Sequence, residues 1–303
     1  MNPLGYNGAM QHHSLKYDRI ITFTYSNLPE AKALEQRIIA FLLNKGVATV
    51  DSIEMDKDDL LFPEVNLADC DLMIMIGGDG GMLRASHVAG EFGLPILGIN
   101  QGRLGFLTEL SGDDWESGIE TFLAGEHRIE HRMMLHGEHW RDDKKLNEWD
   151  VLNDLVVVRG RFVRPITLGI SVGGCPLISY VADGVIISTA TGSTAYSLAV
   201  GGPILLPEMR NIIIIPISPH FSVDRAFVVS AEDEITIRLD TNHEAVISPD
   251  GKTSVMIQNG DLLKVRTSKC SASFVRFTSP GDFYSNLTRY LEKNPIAQQI
   301  NQS

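Results

Sequence analysis

The run Leu72–Ile76 is apolar at every position and passes directly into Gly77-Gly78-Asp79-Gly80-Gly81, after which helical spacing begins. A strand with no polar face must be covered on both sides, which is the situation of a parallel sheet held between helices. Similar units flank it. Residues 20–25 read as a strand, and the next segment places Leu34, Ile38, Phe41 and Leu42 on one helical face, with Pro29 near its start and Gly46 just past its end. A helix over residues 82–89 and a strand over 96–99 follow the glycine turn. Strand, helix and strand in repetition predict an open, Rossmann-like α/β domain, whose ligands collect at the carboxyl ends of the strands. The glycine turn lies at such an end.

Beyond a helix at Trp115–Leu123 the pattern changes. Short β-rich runs appear at residues 155–158, 167–172, 185–187, 212–215, 227–229, 235–239 and 262–265, several of them separated by Gly, Asp or Asn clusters. They predict a mostly β, sandwich-like second domain. Residues 284–291 are helical again and are expected to pack back on the first domain. The expected division is therefore an α/β domain over 1–131, a β-rich domain over 132–279 and a C-terminal helical segment over 280–303. Residues 1–16 show no periodicity and read as a tail.

Composition excludes several function classes. The formal net charge is -12, from 26 Lys and Arg against 38 Asp and Glu, which disfavours a broad nucleic-acid or anionic-membrane surface. An anionic ligand would have to be held locally. The start of the chain has no basic segment followed by an apolar stretch, and no apolar run is long enough to span a bilayer, so a soluble cytoplasmic protein is expected. Cys70, Cys175 and Cys270 are far apart and form no CxxC pair, so buried reduced thiols are expected rather than disulfides or a zinc site.

Asp79 is the only ionisable group in the glycine turn. Glycines let the backbone approach a ligand closely, and the following helix points its free N–H groups and positive dipole end at bound phosphate. A dinucleotide GxGxxG starting at Gly78 fails at Leu83, and no Lys follows as in a Walker loop; Gly251-Lys252-Thr253 fails as a Walker ending at Val246. The bland alternative is a tight turn with Asp79 as N-cap. A turn needs one or two glycines, however, whereas here two stand on each side of the acid.

A second cluster runs from Asp183-Gly184 through Thr191-Gly192-Ser193-Thr194-Ala195-Tyr196-Ser197 to Gly201-Gly202-Pro203. Its hydroxyls suit ribose and phosphate oxygens, Gly192 and Ala195 permit close approach, and Tyr196 offers a face to a heterocycle. On spacing alone, a loop whose hydroxyls bond its own backbone fits equally well. Asn153-Asp154, before the run at 155–158, reads first as strand-opening turn chemistry; a role in reading a base or ribose draws its weight from the other two motifs. His136 and His139 flank Glu138, but three apart on a strand they face opposite ways and cannot share a metal ion. His87 reads as a surface or helix-packing residue.

Together these residues make the chain resemble the bacterial NAD kinases. The resemblance rests on the GGDG turn at 77–80, the Asn-acid pair at 153–154, and the TGSTAY stretch at 191–196 followed by Gly201-Gly202-Pro203, with smaller echoes at residues 100–107, Pro219-His220 and Asp250-Gly251. GGDG is shared with lipid and sugar kinases; TGSTAY with the rest is highly specific. The resemblance implies transfer of the terminal phosphoryl group of ATP, or another donor, to the 2'-hydroxyl of the adenosine ribose of NAD, giving NADP. It implies Asp79 as proton acceptor and an NAD site lined by Asp79, Gly80, Arg84, Asn153, Asp154, Arg164, Asp183, Thr194, Ala195, Tyr196, Ser197, Leu198 and Ala199. Gly77, Gly78, Gly80 and Gly81 would form the phosphate turn. A divalent ion, Mg²⁺, is expected on the donor rather than in a protein cage, since no carboxylate cluster marks one. Homodimers or homotetramers are implied, with part of the site supplied by a neighbouring subunit. Gly81 stands where Thr or Asn is frequent, Asp154 where Glu is more usual, and Phe221 where Ser is common. The competing readings are a lipid or sugar kinase sharing the turn, which leaves residues 191–197 unexplained, and a non-catalytic dinucleotide sensor, which has no need of Asp79.

Overall fold

The computed structural model describes residues 17–25, 28–56, 59–61, 65–102, 105–162, 164–220, 223–252, 254–285 and 287. The expected tail at 1–16 and most of the helix expected at 284–291 lie outside them. The first part of the chain runs β1 (Arg19–Tyr25), α1 (Pro29–Asn44), β2 (Thr49–Asp56), β3 (Asp59–Leu61), β4 (Leu72–Ile76), α2 (Asp79–Gly90), β5 (Pro95–Asn100), β6 (Leu110–Ser111) and α3 (Trp115–Leu123). Strands β2, β1, β4 and β5 lie side by side and parallel, in that order. Alternation along β4 explains why no position is polar. Leu72, Ile74 and Ile76 pack with α1 and α3 through Leu34, Ile38, Trp115 and Phe122, while Met73 and Met75 pack with α2 through Met82, Ala85 and Ala89. Each such side chain taken out of water stabilises the fold by about 1.5–3 kcal/mol. Pro29 starts α1 and Gly46, at φ +90°, follows it, as the sequence predicts.

The second part comprises β7 (Arg128–Arg141), β8 (Lys144–Val151), β9 (Asp154–Arg159), β10 (Ile166–Val172), β11 (Cys175–Ala182), β12 (Gly184–Thr189), α4 (Tyr196–Ala199), β13 (Asn211–Ile217), β14 (Phe227–Ser230), β15 (Ile235–Asp240), β16 (Ala245–Pro249), β17 (Val255–Ile257) and β18 (Leu262–Arg276). Strand β18 ties the two parts together. Its first residues pair with β15, most of its length pairs with β7, and Ser273 and Phe274 continue in parallel beside β5, making one 12-stranded sheet. A separate six-stranded antiparallel sheet has the order β14-β13-β12-β9-β16-β17. The two sheets share one core, with Leu135, Leu168 and Ile237 from the first meeting Leu155, Ile187 and Ile247 from the second. This is the α/β part joined to a sandwich-like β part that the sequence predicts. Among the described residues no helix is long and apolar enough to cross a membrane.

The cysteine expectation needs correction. Cys175 is exposed, and Cys70 and Cys270 are only half-buried, although all three are free thiols. Cys175 opens β11, the outermost strand of its sheet, where no neighbour covers it.

Candidate functional site

The glycine turn sits at the carboxyl edge of the parallel strands, where the Gly77 N–H donates to the Ile99 carbonyl at 2.9 Å. Gly78, not Asp79, occupies the N-cap of α2, so the bland reading of Asp79 as N-cap does not hold. Its carboxylate turns away from its own helix and accepts the Phe106 N–H at 2.8 Å and the Leu107 N–H at 3.0 Å. Gly105 makes this possible, because a methyl group there would overlap the carboxylate. A buried network braces the same loop: Arg276 donates to the Leu107 carbonyl and to Glu109, both at 3.1 Å, and Arg276 and Arg132 converge on Glu130. Burial and the Arg276 charge bring Arg132 down to about 10, with Glu130 and Asp79 acting in the opposite direction. Gly81 is buried, and the space a side chain would take there is filled by the Met75 methyl and the Tyr25 ring. Arg84, one turn along α2, acts through its charge on Tyr25 and Lys252.

The second element is a corner at one end of the six-stranded sheet, where β9 begins and β12 and β16 end. Asp250 organises it. Its backbone is left-handed, at φ +47°, and its side chain is fully buried. One carboxylate oxygen accepts the Asn153 and Asp154 N–H groups at 2.8 and 2.9 Å; the other accepts the Leu152 N–H at 2.8 Å and meets His87 Nε2 at 2.6 Å. The Asn153 carbonyl accepts the Thr189 N–H and the Ser188 hydroxyl, fastening β12 to the corner. Gly192 packs so tightly on that carbonyl that no side chain fits. Asn153, Asp154, Val158, Ala195, Tyr196 and Gly251 then line an open cavity of about 460 Å³. Tyr196 is 44 % exposed at its rim. The hydroxyls of Thr191 and Ser197 are buried without a partner.

Burial, with the charge of Asp250 second, pushes the Asp154 carboxyl up to about 7. A carboxyl held above its ordinary value keeps a proton in the folded chain that it loses in the unfolded one. Stability from this group is therefore full below about pH 4 and declines as pH rises towards about 7. Asp154→Asn is expected to flatten the pH dependence of unfolding free energy across that window, as measured by denaturant titration; a slope equal to that of the parent would contradict the assignment.

Not every sequence-derived site residue falls here. Thr194 and Ala195 are half-buried beside Tyr196, Ser197 is buried within α4, Leu198 is half-buried and Ala199 exposed. Asp183 precedes β12, whose six residues separate it from the corner by about 20 Å at the usual rise; it pairs instead with Arg159 at 2.8 Å. Arg164 is exposed in the β9–β10 link, at that same far end. His136 and His139 do face opposite ways: His139 is buried on Asp261, whereas His136 reaches Asp150. Three groups of the site have no clear mark in the sequence. The Phe106 and Leu107 amides carry no side-chain signal, Asp250 was visible only as an acid-glycine pair, and His87, read as surface or packing, is the helix's contact with Asp250.

A carboxylate fixed at a strand-to-helix glycine turn, together with a corner where Asn153 and Asp154 line a cavity rimmed by Tyr196, defines a phosphotransferase acting on a nucleotide. Residues 48–127 match the model of the ATP-NAD kinase N-terminal domain and residues 152–277 that of the C-terminal domain. An NAD kinase of Chloroflexus aurantiacus is 33 % identical over 275 residues, 90 % of this chain and 99 % of that protein. An NAD kinase of Dehalococcoides mccartyi is 39 % identical over 224 residues, 74 % of this chain and 79 % of that protein. The chain belongs to the NAD kinase family. Among solved structures, the NAD kinase from Archaeoglobus fulgidus in complex with ATP aligns with a TM-score of 0.68 at 25 % identity, covering 89 % of this chain and 98 % of that one. Yeast NADH kinase complexed with NADH shares the fold, with a TM-score of 0.79 at 21 % identity over 92 % of this chain and 89 % of that one.

Proposed function

We propose that the protein transfers the terminal phosphoryl group of ATP to the 2'-hydroxyl of the adenosine ribose of NAD, giving NADP and ADP. The observation that carries this is the Asp79 carboxylate, aimed out of the phosphate turn and held by two backbone amides. The ribose oxygen forms its bond to the γ-phosphorus as the bond to the ADP oxygen breaks, and the hydroxyl proton passes to Asp79. Phosphoryl transfer has a loose transition state, so most of the rate comes from holding donor and acceptor in line and neutralising oxygen charge. Gly77, Gly78, Gly80 and Gly81 with the N-terminus of α2 serve the donor. Arg84, Asn153, Asp154 and residues 194–199 serve NAD, of which Asn153, Asp154, Ala195 and Tyr196 line the open cavity.

A divalent ion fits as a passenger on the donor. Both Asp79 oxygens already accept an amide, and among the described residues the grouping with metal-ligand spacing is His136, Glu138 and Glu148 on the β7–β8 hairpin. Mg²⁺ bound to ATP would supply neutralisation of the phosphoryl oxygens, with Asp79 the nearby carboxylate of the turn. The far placement of Asp183 and Arg164 supports a homodimer or homotetramer in which they complete a neighbour's NAD site. The working division remains the α/β part to residue 131, the β part to 279 and the C-terminal segment beyond, in a soluble protein of the cytoplasm.

Incubation with NAD, ATP and Mg²⁺, with NADP read by an NADP-specific dehydrogenase, tests the reaction. NADP formation is expected, and binding of NAD without turnover would favour a sensor instead. Tyr196→Ala is expected to weaken NAD binding by about tenfold, the size of one lost aromatic contact of about 1.4 kcal/mol. Unchanged affinity in direct titration would remove Tyr196 from the site.

A further inference from the structure

His87 joins the two halves of the site. It lies eight residues after Asp79 on α2, and its Nε2 meets the buried Asp250 carboxylate that grips the amides of Leu152, Asn153 and Asp154. Its Nδ1 is in contact with the Lys252 ammonium. An ammonium can only donate, so Nδ1 presents its lone pair and Nε2 carries the ring proton, which it donates to Asp250. Both ring nitrogens are thus engaged in the neutral state, and a second proton would have to displace Lys252.

We propose that His87 is a positioning residue for phosphoryl transfer: the neutral ring clamps the helix that begins with Asp79 onto the corner that carries Asn153 and Asp154. This rests on the reading of Asp79 as base and of the corner as NAD site. The helix is a rigid rod over the intervening two turns, about 12 Å, so its distal contact sets the position of the turn at its head. Reacting groups displaced by about 1 Å lose large factors in rate while binding changes little. A second cavity of about 460 Å³ lies behind the ring, which His87 and Lys252 share with Glu91, His136, Glu148 and Asp150. From the other side the ring faces Asp250, with Asp154 next to that carboxylate and Arg84 acting on Lys252.

The test compares His87→Ala and His87→Gln with the parent chain, reading kcat, KM for NAD and, separately, the directly titrated Kd for NAD. Ala is expected to lower kcat at least tenfold with Kd for NAD within about threefold. Gln places an N–H near the former Nε2 and an oxygen able to accept from Lys252, so it should restore kcat to within about threefold. Values of kcat and KM for Ala within twofold of the parent overturn the clamp. If Ala unfolds, His87→Leu takes its place: kcat and KM within twofold of the parent overturn the clamp equally. NADP formation by the parent, and its loss in Asp79→Asn, are measured first, so failure of the underlying reading is separate from failure at His87.

Discussion

Asp79→Asn should lower NADP formation by roughly 10² to 10⁴, the range attributable to a positioned general base, while NAD still binds. The substitution is nearly isosteric and leaves Gly105 unobstructed, but it is not silent in the fold. The carboxylate accepts two amides, from Phe106 and Leu107. A carboxamide offers one acceptor and turns its NH₂ towards the other N–H, which leaves that donor unmet at a cost of about 1–3 kcal/mol. A modest fall in unfolding temperature should therefore accompany the loss of turnover. Calorimetric titration with NAD separates the two effects, because a folded, NAD-binding, inactive variant isolates the proton acceptor. Turnover near that of the parent would remove Asp79 from this role and leave the turn as a phosphate cradle only.

The parts legible in the sequence were those with local causes. Leu72–Ile76 could be placed in a covered parallel strand because each residue had a helix to face, and α1 because Pro29 and Gly46 mark its ends. Strands β8 and β11 are among those with no counterpart in the sequence expectations. Both carry many exposed positions and lie at the margins of the sheet, so they lack the one-sided alternation of a half-buried strand. Only the first four residues of β18 read as a strand, since the register shift between Thr267 and Ser271 interrupts its apolar pattern, although the strand runs on to Arg276 and joins both parts. The site divides similarly. Asp79 and residues 191–197 announce themselves by composition, whereas the bond between His87 and Asp250 spans 163 positions and has no local signature. Asp183 groups with residues 191–203 on nearness in sequence alone; a strand laid straight between them carries it to the opposite end.

Removing the Asp250 side chain should have the largest effect on stability. Asp250→Ala strands three backbone donors, buried at Leu152 and Asp154 and half-buried at Asn153, and deprives His87 of its acceptor. Each unmet buried donor costs about 1–3 kcal/mol, and partial rehydration keeps the sum on the order of 3–5 kcal/mol. Asp250→Gly loses the same contacts but is at ease at φ +47°, so it should be more stable than the Ala variant by about 1 kcal/mol. Urea unfolding of the two variants thus divides the loss between side chain and backbone. With the amides of residues 152–154 released, affinity for NAD should fall at least tenfold in both, because Asn153 and Asp154 take their direction from that grip. The Asp154 carboxyl should also move down from about 7, since one of the two influences raising it is the Asp250 charge. Burial is the larger influence, so the pH slope of stability should shrink in Asp250→Gly without vanishing. A slope equal to the parent's would assign the whole shift to burial, and a Gly variant as stable as the parent would show that the corner holds its shape without Asp250.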